Sequence, residues 1–172
     1  MAFFKNMICG FGKGDAALPA MQVSDDEIVA IADGELVDVS SVSDPVFANK
    51  LMGDSVAFHF EGSSITICSP ANGVLSVLFP TGHAFGITRK DGVEILVHIG
   101  INTVNTKGDG FKIASYKQGD SVKAGNPIVT VNLKKLRKMY DMSTMLVITK
   151  ANDKNICFIQ PQHVIKGQSI IF

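Results

Sequence analysis

Residues 81–100 read TGHAFGITRKDGVEILVHIG, and this stretch decides the fold. Two apolar arms flank Asp91-Gly92, a residue pair that is typical of tight β-hairpin turns. Each arm carries one histidine, His83 on the first arm and His98 on the second. The stretch therefore predicts a hairpin that brings two imidazole rings into one region of a sheet.

The length of the hairpin loop decides whether the two rings share a face, because side chains alternate along a strand. A two-residue loop at Asp91-Gly92 pairs Phe85 with His98, and a four-residue loop pairs His83 with His98. Both registers predict one shared face, with the Cβ atoms of the two histidines roughly 5–7 Å apart. A three-residue loop without a bulge would place the two histidines on opposite faces.

The two registers also assign the remaining side chains of the hairpin to faces. We expect the face of the histidines to include Thr81, Phe85, Glu94 and Leu96. We expect the opposite face of the second arm to point into the core, with Ile95, Val97 and Ile99.

Two imidazoles on one face can move a proton, hold a metal or carry a phosphoryl group. A purely structural role is the alternative, and the hairpin alone leaves all of these open. His59 and His163 have no comparable partner in the sequence, so we expect them to be structural.

The composition indicates one globular domain, because 172 residues are 46% hydrophobic and 19% charged. Sixteen basic and sixteen acidic residues leave no positive excess for binding nucleic acid. The three cysteines are far apart and form no CxxC pattern, which argues against a disulfide framework and fits a reducing cytoplasm. No apolar run is long enough to span a membrane.

From about Ile28 onward, short apolar runs alternate with turn residues, which predicts an all-β antiparallel sandwich or barrel-like domain. The best helix candidate is Leu133–Tyr140, a basic stretch expected to lie on the surface. We predict a flexible N-terminal segment over residues 1–25 and a single domain over residues 26–172. Apolar residues near helical spacing in the segment allow at most a peripheral membrane contact: Phe3, Phe4, Met7, Ile8 and Phe11.

Six motifs follow one another in the order Ala32–Leu36, Val42–Phe47, Met52–Asp54, Ser69–Gly73, Phe79–Ala84 and Glu94–Val104. In this order and spacing the sequence resembles the glucose-type enzyme IIA component of the bacterial phosphoenolpyruvate-dependent sugar phosphotransferase system. The resemblance implies an antiparallel β-sandwich with two histidines in a shallow apolar depression.

The resemblance also implies a role for each residue of the pair. His98 would accept a phosphoryl group on Nε2 from the histidine-containing phosphocarrier protein and pass it to the IIB domain of a sugar permease. His83 would stabilise the group in transit, Thr81 would hydrogen-bond to His83, and the Gly100 carbonyl would orient His98. A phosphohistidine intermediate of this kind requires no cofactor.

The resemblance further implies a docking surface around the histidines. Asp44 matches an acidic residue that meets an arginine of the phosphocarrier. Asn102 stands where the family usually has Asp, so one negative charge is missing beside the site. Some family members also regulate transporters or kinases. The residues that match the apolar collar of the family are Val46, Phe47, Met52, Phe79, Leu96 and Val104.

Two other classes of function compete with this interpretation. A zinc-dependent hydrolase of a related β fold would use His83 and His98 as opportunistic zinc ligands, but it needs a third ligand, for which only Glu94 is a candidate. A binding module is the other class. A lipoyl or biotin carrier would need a lysine between two methionines, which the sequence lacks. A regulatory module of the same fold would bind partners but no longer transfer a phosphoryl group.

Overall fold

The computed structural model describes residues 22–172, which form eleven strands and two short α-helices. The predicted flexible segment 1–25, with its apolar residues from Phe3 to Phe11, lies almost wholly outside this range. The strands are β1 (Gly34–Asp38), β2 (Ser55–His59), β3 (Ile65–Cys68), β4 (Gly73–Leu78), β5 (Ala84–Thr88), β6 (Glu94–Ile99), β7 (Phe111–Ile113), β8 (Ser121–Val122), β9 (Pro127–Val131), β10 (Thr144–Lys150) and β11 (Gln162–Val164), and the helices are α1 (Pro45–Ala48) and α2 (Leu133–Leu136).

The strands form two sheets whose pairs are antiparallel, which confirms the predicted fold class. The larger sheet has the order β11-β1-β2-β10-β6-β5-β4-β8, and the smaller has the order β3-β9-β7. Both sheets contribute to one hydrophobic core, to which β3 supplies Ile67, β9 supplies Ile128 and β6 supplies Val97, all fully buried. Burying one face of each sheet in this way is what stabilises a sandwich.

The β5–β6 hairpin has a three-residue loop, so both predicted registers were wrong. Arg89 N donates to the carbonyl of Val93, and the loop residues between them include Gly92 with a φ of 84°. A glycine in the left-handed region at the end of such a loop is a common hairpin solution. The resulting register pairs Ala84 with His98 and continues unbroken to Thr88 and Glu94.

The two histidines nevertheless meet, because His83 lies one residue before β5. Its carbonyl still accepts a hydrogen bond from Ile99 N at 2.7 Å. Gly82 has a φ of 73° and turns the chain just before His83. The His83 side chain therefore does not follow the alternation of side chains along β5. The predicted meeting of the rings is confirmed, but by a strand end rather than by a shared face.

The new register also changes the faces of the hairpin. Phe85 pairs with Val97 and is fully buried in the core, so its predicted place beside His98 was wrong. The predicted inward face of β6 is confirmed, because Ile95, Val97 and Ile99 are each at most 1% exposed.

A second apolar cluster covers the outer face of the larger sheet, beside the histidines. It includes Ala57 and Met145 from neighbouring strands, Phe47 from α1 and Ile101 from the turn after β6. Asp44 caps α1 by accepting from Val46 N at 2.8 Å, and Pro45 begins the helix. An Asp-Pro pair at a helix start is a recognised signal, so this short helix was predictable from the sequence and was missed.

The predicted helix over Leu133–Tyr140 is confirmed only in its first half, as α2. Asn132 caps it by accepting from Lys135 N at 3.0 Å. Leu133 and Leu136 are each 1% exposed and pack into the core, so this basic stretch is not wholly a surface element. Among the residues described, no helix is long and apolar enough to cross a membrane.

Candidate functional site

His98 lies on the outer face of β6, between two other rings. Its centroid is 5.3 Å from that of His83 in an edge-on arrangement and 5.1 Å from that of Phe47. The opposing residue on β5 is Ala84, whose small side chain leaves room above the sheet for the imidazoles. The site therefore brings together the predicted histidine pair and one residue of the predicted collar.

Burial and, to a smaller extent, the neighbouring His83 lower the pKa of His98, whose net value is about 4. The Gly100 carbonyl and the Asp44 carboxylate act in the opposite direction with smaller effect. Burial also lowers the pKa of His83. Desolvation disfavours a charged imidazole, so His98 is neutral at pH 7.

The two nitrogens of His98 have different surroundings. Nδ1 is buried and has no hydrogen-bond partner of normal geometry, and it is the only ring nitrogen of the described residues in that condition. The predicted hydrogen bond from Nδ1 to the Gly100 carbonyl is therefore not fully formed, although that carbonyl is close enough to raise the pKa of His98. Nε2 is the nitrogen left open to a reaction partner.

The turn that follows His98 is tightly constrained. Gly100 has a φ of 73°, and a Cβ at this position would lie 2.5 Å from Cγ2 of Thr103. Thr103 is fully buried and donates its hydroxyl to the carbonyl of Ile99 at 2.5 Å. This threonine positions the turn after His98, and it was missed as a candidate because nothing in its spacing marks it.

His83 is held by its neighbour Thr81, as predicted from the resemblance. Thr81 Oγ1 lies 2.5 Å from Nδ1 of His83. His83 is 5% exposed, and its ring also contacts that of Phe79 at a centroid distance of 5.0 Å. The orientation of its ring is thus fixed from two sides.

Four residues of the predicted collar form an exposed apolar rim. Phe79 contacts His83 directly. Val46 is linked to His98 through its neighbour on α1, Phe47, whose ring contacts that of His98. Phe47 itself is buried, and Leu96 is half-buried against the outer cluster, so these two support the site from below. Between 40% and 49% of the surface is exposed for each rim residue: Val46, Met52, Phe79 and Val104.

Asp44 lies just before α1, and Asn102 lies in the turn that follows β6. Asp44 is half-buried, and its negative charge acts on His98 by raising the pKa of that ring. Asn102 is exposed and adopts a left-handed conformation, with a φ of 58°. Asn and Asp are the non-glycine residues that tolerate this conformation best, which explains why the backbone accepts Asn here.

A hydrogen-bonded group beside the turn was missed by the sequence interpretation. Ser143 Oγ donates to Asp141 at 2.7 Å and lies 3.1 Å from Nε2 of His59. Ser143 also accepts from Gly100 N through its carbonyl, at 3.0 Å. Its signal was the sequence Asp-x-Ser, which is typical of a side chain that caps its own turn.

The zinc-hydrolase alternative requires a third ligand near the two histidines. Within residues 22–172, no three His, Cys, Asp or Glu side chains converge as a metal site would need. Glu94 lies four residues before His98 on β6, which is roughly 13 Å along a strand, and it lies near Lys150. The residues around the histidines do not fit a hydrolytic zinc centre.

Comparison with known proteins agrees with this geometry. Residues 26–154 match the family described as phosphoenolpyruvate-dependent sugar phosphotransferase system, EIIA 1. The chain belongs to this family. The predicted membership of the phosphotransferase IIA family is thereby confirmed.

Similar proteins include both short and long chains. The glucose-specific EIIA component of Haemophilus influenzae is 37% identical over 147 residues, covering 84% of this chain and 86% of that protein. The glucose-specific EIICBA component of Staphylococcus carnosus is 37% identical over 139 residues, covering 80% of this chain. This chain spans only about a fifth of the length of that larger relative, 20%.

Among solved structures, the glucose permease IIA from Mycoplasma capricolum is similar to this chain with a TM-score of 0.78 and 34% identity. The alignment covers 84% of this chain and 93% of that one. The sandwich architecture is therefore that of the IIA family.

Proposed function

We propose that this protein carries a phosphoryl group on His98 in a sugar phosphotransferase system, between a histidine-containing phosphocarrier protein and the IIB domain of a glucose-class permease. The observation that carries the proposal is the neutral imidazole of His98 set 5.3 Å from a second imidazole, that of His83. The similar proteins include glucose-specific EIIA and EIICBA components, which supports this class of partner.

The reaction exchanges one phosphorus–nitrogen bond for another. Nε2 of His98 attacks the phosphorus of the donor phosphohistidine, the new bond forms there, and the bond to the donor nitrogen breaks. The electron pair returns to the donor imidazole. The donor ring leaves as a neutral imidazole when its other nitrogen carries a proton, and the His98 ring keeps its own proton on Nδ1, so charge and protons balance without a co-reactant. A low pKa favours this step, because only the neutral imidazole is a nucleophile.

Gly100 gives a reason for the proton to sit on Nδ1. The carbonyl of Gly100 acts as a hydrogen-bond acceptor toward the His98 ring, and this interaction raises the pKa of His98. A small closing movement of the turn would complete the hydrogen bond when the ring carries a phosphoryl group. Thr103, which ties its hydroxyl to the carbonyl of Ile99, limits how far the turn moves.

His83 is the proposed stabilising group for the phosphoryl oxygens. If the Thr81 hydroxyl donates to Nδ1, the proton of the His83 ring lies on Nε2, where it can point at a negatively charged oxygen. Phosphoryl transfer relies on positioning and electrostatic stabilisation more than on covalent chemistry. A donor fixed by Thr81 and Phe79 fits that requirement.

The exposed rim is the proposed docking surface for both the donor and the acceptor protein. Val46, Met52, Phe79 and Val104 are exposed apolar side chains, and the ring of Phe79 contacts that of His83. When a partner covers this surface, water is excluded and the polar contacts to the phosphoryl group become stronger. A single surface for both partners allows the same His98 to receive and then donate.

The direct test is labelling with phosphoenolpyruvate, enzyme I and the phosphocarrier, followed by intact-mass measurement in alkaline solution. We expect one phosphoryl group on the wild-type protein and none on His98→Ala. The matched control is His163→Ala, which removes an exposed histidine and should be labelled like the wild type. Labelling of His98→Ala, or no labelling of the folded wild type, would overturn the proposal.

A further inference from the structure

Asp141 is a carboxylate fixed beside the site by three hydrogen bonds. Its Oδ1 accepts from the backbone nitrogen and the hydroxyl of Ser143, at 2.9 and 2.7 Å. Its Oδ2 accepts from the hydroxyl of Ser43 at 2.8 Å. The carboxylate therefore has a defined position rather than that of a free surface side chain.

The contacts of Asp141 join it to two loops near the histidines. Ser43 directly precedes Asp44, whose charge acts on His98. The backbone carbonyl of Asp141 accepts from Ile101 N at 2.7 Å, and Ile101 directly precedes Asn102. Asp141 thus adjoins the Asp44 loop on one side and the turn with Asn102 on the other.

Asp141 is charged and open to a partner. Partial burial raises the pKa of this carboxyl, but the hydrogen bonds from Ser143 and Ser43 outweigh that effect and lower the pKa below its ordinary value. The residue is exposed in spite of these contacts. Asn102, by contrast, is exposed but neutral, so it adds no negative charge to the turn that Asp141 adjoins.

We propose that Asp141 is a docking contact for the phosphoryl donor, where together with Asp44 it receives an arginine side chain of that protein. The proposal rests on the proposed function. A guanidinium matches a fixed carboxylate because it can donate two parallel hydrogen bonds. Charges at the edge of an interface act chiefly on partner association and on its salt dependence.

The test is Asp141→Asn, which removes the charge while its amide oxygen can still accept from Ser143. Initial rates of labelling are measured against the concentration of phosphorylated carrier, at low salt. We expect the KM for the carrier to rise about five- to tenfold with kcat unchanged. The rise should shrink between about 0.05 and 0.5 M salt.

Two further variants separate a docking charge from a structural role. Asn102→Asp places a carboxylate on the adjoining turn, so it should lower the KM of the wild type and restore that of Asp141→Asn. The matched control is Asp33→Asn, because Asp33 also accepts from a backbone nitrogen, that of Lys166 at 2.7 Å, but lies next to β1, three strands from β6. It should leave the KM unchanged.

The outcomes are distinguishable from failure of the proposed function. A wild type that accepts phosphate while Asp141→Asn has an unchanged KM overturns this inference alone. A loss confined to kcat, or an equal effect of Asp33→Asn, also overturns it. A folded wild type that accepts no phosphate from the carrier overturns both proposals.

Discussion

Two histidines on the larger sheet show how surroundings decide what an imidazole can do. The His98 side chain is half-buried among rings, and within residues 22–172 it makes no hydrogen bond to a carboxylate. The His163 side chain is 63% exposed, and its Nδ1 lies 2.8 Å from a carboxylate oxygen of Glu35. Both side chains stand on strands of the same sheet, so the strand alone does not determine their chemistry.

The difference lies in solvent and in the partner. At His98, removal of water lowers the pKa to about 4 and keeps the ring neutral, with Nε2 open. At His163, one nitrogen is engaged by Glu35 and the ring is solvated. An apolar setting prepares a nucleophile, whereas an exposed ion pair contributes little to stability or chemistry.

The largest expected effect is on onward transfer by His83→Gln. This variant should still accept phosphate on His98 but pass it to the IIB domain about 10²- to 10³-fold more slowly, because one stabilising donor is lost. Rapid-quench transfer from purified phosphoprotein measures the rate. Equal rates for the variant and the wild type would show that the two imidazoles do not act together.

Next in size is the effect of Gly100→Ala on the His98 turn. The new Cβ would meet Thr103 at 2.5 Å at a positive φ, so we expect a loss of roughly 2–4 kcal/mol in unfolding free energy. Gly119→Ala is the matched control, since Gly119 has a φ of 97° but nothing within 4 Å of its Cβ. Gly119→Ala should lower the unfolding free energy by less than Gly100→Ala does, because it introduces no steric clash. Equal losses in denaturant unfolding would contradict the steric account.

The pH dependence of stability sharpens the contrast between the two settings. Because the pKa of His98 is about 4 in the folded chain and about 6.5 when unfolded, the unfolded chain binds the proton first as pH falls. The stability that the folded chain gains from keeping His98 unprotonated is fully present above pH 6.5 and is lost as the pH falls towards 4. Between pH 7 and 4.5 the wild type should lose roughly 2–3 kcal/mol more than His98→Gln. Parallel denaturant curves for the two proteins would refute this.

The smallest expected effect is at the exposed pair. Glu35→Gln removes the charge opposite His163. The side chain of Glu35 is 55% exposed and that of His163 is 63% exposed. The unfolding free energy should change by less than about 1 kcal/mol. Phosphate acceptance should be unchanged. A large loss of either in thermal unfolding or labelling would mean that the two settings are coupled.

Much of the site was predictable from residue types and spacing. The hairpin with its two histidines and the inward face of β6 follow from the motif and from alternation, and the contact of Thr81 with His83 follows from the family resemblance. The register was not predictable, because Asp91-Gly92 fits loops of two, three or four residues. The pairing of Val93 with Arg89 decides which loop forms. His83 joined His98 only because the strand starts after it.

Other features depended on tertiary contacts that a single sequence does not contain. Asp141 reaches Ser43, which is 98 residues away. Phe47 is apolar and could have been rim or support, and only its packing against His98 decides. The predicted helix at Leu133 ends early, after Leu136, and the burial of Leu136 in the core was missed because this basic stretch was expected to lie on the surface.

The most direct measurement is nitrogen-15 NMR of the histidine side chains in the phosphorylated protein. The account predicts that phosphate attaches to Nε2 of His98, with a phosphorus coupling on that nitrogen and the proton retained on Nδ1. Coupling to His83, to Nδ1 of His98 or to His163 would contradict the claim that burial and ring packing select this one nitrogen.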